Sequence, residues 1–99
     1  MSETNFAFPE WVNRMPQEEQ PRARMRCILR YVAWLTTPEG SVDALSEAIG
    51  RARKTLNSAV GNGRYDEGLP VEVILSIEKL IGPGVIPRAV MNPKVYGTN

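Results

Sequence analysis

The chain has 99 residues, a formal net charge of +1, 42% hydrophobic and 23% charged residues, which is room for one small domain and too apolar for disorder throughout. It has no histidine and a single cysteine, Cys27, which excludes an internal disulfide framework, His-based triads and ordinary zinc sites. No P-loop, nucleophile elbow or dinucleotide fingerprint occurs, and the acids stand singly or as adjacent pairs beside loops (Glu18–Glu19, Asp66–Glu67), so neither an enzyme, nor a cofactor, nor a small-molecule substrate is expected.

The opening "MSETNFAFPE" lacks a long apolar core, and no later run is long enough to span a bilayer. The expectation is a soluble, cytoplasmic protein with no membrane partner. Pro9, Pro16 and Pro21 divide residues 1–20 too finely for a long helix, leaving room for one helical turn in "PEWVNRM". This segment reads as an N-terminal arm. Its aromatics, Phe6, Phe8 and Trp11, suit either packing on their own domain or contact with a second copy.

From Pro21, the stretch "PRARMRCILRYVAWLTT" places Met25, Ile28, Leu29, Val32 and Leu35 at the spacing of an amphipathic helix. Arg22, Arg26 and Arg30 form a stripe on the far side, suited either to solvent or to phosphates. Tyr31 and Trp34 read as core or interface residues, and Cys27 as an inert buried thiol. Ser41 is an N-cap for the next helix, "VDALSEAIG", whose inward residues are Val42, Leu45 and Ile49. Gly50 ends it. A third helix is expected from about Ala52 to Val60, closed by "GNG". Pro70 opens a fourth, "PVEVILSIEKLIG", with Val73, Ile74, Ile77, Leu80 and Ile81 inward and Gly82-Pro83 at its end. Pro87 and Pro93 break up the tail, where one helical turn or a short extended piece is the most that is expected. Tyr65 and Tyr96 suit either phosphate contact or packing at the rim.

Charge is distributed in blocks. Residues 51–64 carry Arg51, Arg53, Lys54 and Arg64 and no acid, while residues 65–82 are acidic apart from Lys79. On a helix over 52–60, Ala52, Leu56, Ala59 and Val60 share one side. Arg53, Lys54, Asn57 and Ser58, with Gly61, share the other. Arginine can pair bidentately with guanine and asparagine with adenine, while lysine and serine serve bases or phosphates. The same face could equally be plain surface, or could dock an acidic protein. A helix, a glycine-bearing turn and a second helix, "VDALSEAIG-RARKTLNSAV", is also the arrangement of a helix-turn-helix, and Ser46 is small enough to let the two helices approach closely.

The stretch "AIGRARKTLNSAVGNGR" resembles the helix-turn-helix of phage Cro-type repressors: a glycine in the turn, then Leu56-Asn57-Ser58-Ala59-Val60, then Gly63-Arg64. The downstream "LPVEVILSIEKLIGPGVIPRAVMNP" is similar to the continuation in YdaS-like relatives of Cro. Together the resemblance covers about residues 41–93. It departs from the family at Arg51, where an apolar residue is common, and at Ser46, where alanine is usual.

The resemblance implies a lambda-repressor-like, all-α domain of four to five helices over 21–99, with the helix-turn-helix at 42–60. It places base reading on Arg53, Lys54, Asn57 and Ser58, and phosphate contact on Arg51, Thr55 and Arg64. The implied function is that of a phage or prophage transcriptional regulator, a repressor rather than an activator. It would bind an inverted-repeat operator in double-stranded DNA as a homodimer, through the arm or the tail from Val85 onward. The alternatives are a helical protein-interaction module, of the antirepressor or toxin-neutraliser kind, and a non-specific nucleic-acid binder.

Overall fold

The structure, a computed structural model, describes residues 6–97. Every element among them is helical: α1 (Glu10–Asn13), a 3-10 turn (Gln17–Glu19), α2 (Gln20–Thr36), α3 (Val42–Ala48), α4 (Thr55–Gly61), α5 (Val71–Ile81), α6 (Arg88–Met91) and α7 (Pro93–Tyr96). Four of these, α2 to α5, carry the architecture, and the other four are single turns. The tail thus holds two short helices where at most one turn was expected. Pro87 and Pro93 start them rather than forbid them, because a proline at a helix start gives up only an N–H that has no helical partner.

The longest helix, α2, is the hub, packed against α1, the 3-10 turn, α3, α4 and α5. Its apolar arc buries Ala23, Met25, Ile28, Leu29, Val32 and Ala33. It stops where Thr37 precedes Pro38: a residue before proline is pushed into the extended region, and Thr37 sits at φ −125°, ψ 146°. The hydroxyls of Thr36 and Thr37 donate back to the carbonyls of Val32 and Ala33, satisfying the last turn. Helix α5 contributes Val73, Ile74 and Ile77, and Leu45, Leu56, Val60, Leu69, Ile86 and Met91 complete one core.

Two residues expected to face inward do not. Leu35 is 46% and Leu80 41% exposed. Each lies in the last turn of its helix, where the neighbouring elements no longer cover the stripe. Ile49 and Ile81 are half-buried.

The described part of the arm, from Phe6 onward, folds back on its own domain, and residues 1–5 of the proposed arm lie outside the described residues. Val12 is fully buried, Phe6 and Phe8 pack against the core, and Phe6 meets the rings of Phe8 and Tyr31 edge-on at 5.0 and 5.1 Å. Trp11 remains half exposed, and Trp34, at 71%, is the most exposed large apolar side chain among the described residues. Tyr65 is buried in the core, not free for a phosphate. Tyr96 is partly buried, beneath the Arg88 guanidinium at 5.5 Å. Cys27 is half-buried; burial pushes its thiol up, against the opposing pull of Arg30 and Arg26.

At the far end a backbone latch holds the tail. The Leu69 N–H donates to the Met91 carbonyl at 2.8 Å. The Asn92 amide donates to the Leu69 carbonyl at 2.8 Å and accepts from the Val95 N–H at 2.9 Å. Gly68, at φ +137°, makes this approach possible, since a Cβ there would stand 2.7 Å from the Asn92 Cα. No helix among the described residues is long and apolar enough to cross a membrane.

Candidate nucleic-acid interface

Helices α3 and α4 pack on each other and on α2. Ser41 caps α3, its hydroxyl accepting from the Ala44 N–H at 3.0 Å and donating to a Glu39 carboxylate oxygen at 2.7 Å. Gly50, at φ +82°, reverses the chain. The Arg51 N–H returns to the Ser46 carbonyl at 2.9 Å, closing the end of α3.

The second helix begins later than its periodicity suggested, at Thr55 rather than Ala52. The cause is tertiary. Lys54, at the N-cap position, provides no capping side chain. The buried hydroxyl of Ser46, across on α3, instead accepts from the Leu56 N–H at 3.2 Å. That bond satisfies one of the donors left open in a first helical turn and sets where the turn starts. Residues 51–54 are consequently a bend and turn, with Ala52 exposed rather than on the buried side.

The proposed readers therefore separate into two groups. Asn57 and Ser58 lie exposed on α4, opposite the buried Leu56, Ala59 and Val60. Arg53 and Lys54 lie exposed on the turn that leads into it. Of the phosphate candidates, Arg51 and Thr55 are half-buried and Arg64 is exposed just beyond the helix, its N–H accepted by the Ala59 carbonyl and the Asn62 side chain. No ion pair joins the Arg51 or Arg64 side chain to another described residue.

Acids from elsewhere in the chain reach this surface, a feature hidden by their distance in sequence. Arg53 is held at both terminal nitrogens, by Glu47 at 3.0 Å and by the two carboxylate oxygens of Glu39 at 2.9 and 3.2 Å. Asp43, its side chain 17% exposed, accepts from the Asn57 amide at 2.8 Å and pairs with the Lys54 ammonium at 3.3 Å. The spacing of Asp43 and Glu47 at i, i+4 puts both on the same face of α3. The Asn57 amide, with Lys54, holds the Asp43 carboxyl below its usual range, and the Ser41 hydroxyl, then Arg53, does the same for Glu39. Glu39, in turn, raises the Arg53 guanidinium.

The arginine stripe on α2 is also divided. Arg22 makes a two-pronged bond to Asp66, Nε to Oδ1 at 3.2 Å and Nη2 to Oδ2 at 3.1 Å, tying α2 to the loop after α4. Arg26 and Arg30 form no ion pair with a described residue. No family model, curated protein or solved structure matches this chain.

Proposed function

We propose that the chain is a sequence-specific DNA-binding protein, a cytoplasmic transcriptional regulator resembling the Cro-type repressors of phages and prophages. It would place α4 in the major groove. The single observation that carries this reading is the α3–turn–α4 unit. Its inner side is secured by the Ser46–Leu56 hydrogen bond and by Gly50, and its outer side presents Asn57 and Ser58 on the helix with Arg53 and Lys54 at its lip.

On this reading Arg51, Thr55 and Arg64 approach phosphates on either side of α4 and set its register, while the four outward side chains choose the sequence. Two half-sites one helical turn apart, about 34 Å between centres, call for two recognition helices. The described residues span 36 Å at their longest and include one α4, and on this reading a palindromic operator would be bound by a homodimer. Occupancy of such an operator represses by covering a promoter.

The experiment is selection from a random duplex pool with the purified chain at near-physiological salt. An enriched inverted repeat is expected. Asn57→Ala should then reduce discrimination at one or two positions by about tenfold or more, and Arg64→Ala should weaken all duplexes alike and lower the salt slope by about one. A pool without consensus that is lost steeply with salt would mean backbone binding only. No recovery even at low salt would reassign the surface to docking another protein.

A further inference from the structure

The proposed reading surface contains three carboxylates that DNA binding as described gives no task. Glu39 approaches from the loop before α3, Asp43 from its first turn and Glu47 from its last. Between them they engage Arg53, Lys54 and Asn57, three of the four side chains placed at the bases. The three carboxylates against Arg51, Arg53, Lys54 and Arg64 leave this surface a formal charge of only +1.

That arrangement has unequal effects on the two kinds of DNA contact. Any duplex, whatever its sequence, offers phosphates, and attraction to phosphates grows with uncompensated positive charge. Here a phosphate approaching Arg53 or Lys54 also meets Glu39, Glu47 or Asp43, and repulsion cancels much of the gain. Base edges are uncharged acceptors and donors. A guanine edge opposite Arg53 and an adenine edge opposite Asn57 can replace carboxylate contacts with paired, directional bonds, and only when both stand in register. Discrimination is a difference between two affinities, so lowering the affinity for the wrong duplex raises it as surely as improving the right one.

Resting on the DNA-binding reading, we propose that Glu39, Asp43 and Glu47 are specificity-determining residues. They restrain Arg53, Lys54 and Asn57 until a matching sequence displaces the carboxylates, and they suppress attachment to DNA of any other sequence. The geometry suits reversible release. The side chains of Glu39 and Glu47 are 54% and 56% exposed, so water can resolvate them when the arginine leaves. Glu39 keeps its second partner, the Ser41 hydroxyl, and with it a fixed position beside the lip.

The test is the full-length chain carrying Glu39→Gln and Glu47→Gln together, titrated over a salt series against the selected duplex and a scrambled duplex of equal length. Each change keeps shape and an acceptor oxygen while removing a charge. Scrambled-duplex affinity is expected to rise about tenfold, and its salt slope to steepen by up to about two, one for each carboxylate removed. The ratio of selected to scrambled affinity should fall by a comparable factor. Asp43→Asn alone should steepen the slope by about one, through Lys54. A salt slope and an affinity ratio equal to those of the parent chain in both variants would overturn the proposal while leaving the DNA-binding reading intact. A parent chain that binds both duplexes equally, or neither, would overturn the reading and the proposal together.

Discussion

Ser46 has two consequences for the molecule, one of size and one of chemistry. Its small side chain lets α3 and α4 approach, and its buried hydroxyl supplies the acceptor that the start of α4 lacks locally. Ser46→Ala keeps the first and removes the second, leaving the Leu56 N–H buried without a partner. The expected loss is about 1–3 kcal/mol of unfolding free energy, measured as a fall in the urea midpoint at unchanged slope. Smallness at position 46 was legible in the sequence; the hydrogen bond was not, because donor and acceptor are ten positions apart and no local pattern connects them. The partners of Arg53 were hidden for the same reason. A basic run free of acids along the chain is not free of them in space, since α3 aligns Asp43 and Glu47 beside it and the preceding loop adds Glu39.

Helix starts and stops follow local chemistry wherever that chemistry is complete. Pro21, the Ser41 cap, Gly50, Pro70 and Gly82 mark boundaries that the structure keeps to within a residue or two. The exceptions are α4, started by a side chain from another helix, and the tail, where two single turns depend on packing. One of those turns is clamped to α5. The Arg88 guanidinium grips Glu78 through Nε at 3.0 Å and Nη2 at 2.7 Å, and the Glu78 side chain is only 9% exposed. Arg88 therefore holds the Glu78 carboxyl below its usual range. A carboxyl lowered in the folded state stabilises it above the unfolded value, about 4.3 for glutamate, and that contribution is lost as pH falls through the lower folded value. Urea midpoints measured from about pH 7 to pH 3 should decline at the acid end, and Glu78→Gln should flatten that decline while lowering the midpoint at neutral pH.

Across the whole molecule, most packing joins elements adjacent in the chain, α2 with α3, α3 with α4, α6 with α7, while α5 and the tail return from further away. The latch between Gly68–Leu69 and Met91–Asn92 is the most distant of these closures to rest on backbone hydrogen bonds. Gly68→Ala forces a Cβ against the Asn92 backbone at a positive φ and is expected to cost about 1–3 kcal/mol. Native-state amide exchange should locate that loss. The Leu69 and Val95 amides, held by the tail, are expected to exchange faster in the variant, while the Leu56 amide, held by Ser46, keeps the parent rate under conditions where local opening dominates. Local contacts close early in folding and long loops late. On that basis the tail is expected to dock last and to open first, an order that faster exchange of the Leu69 and Val95 amides than of the Leu56 amide in the parent chain would report.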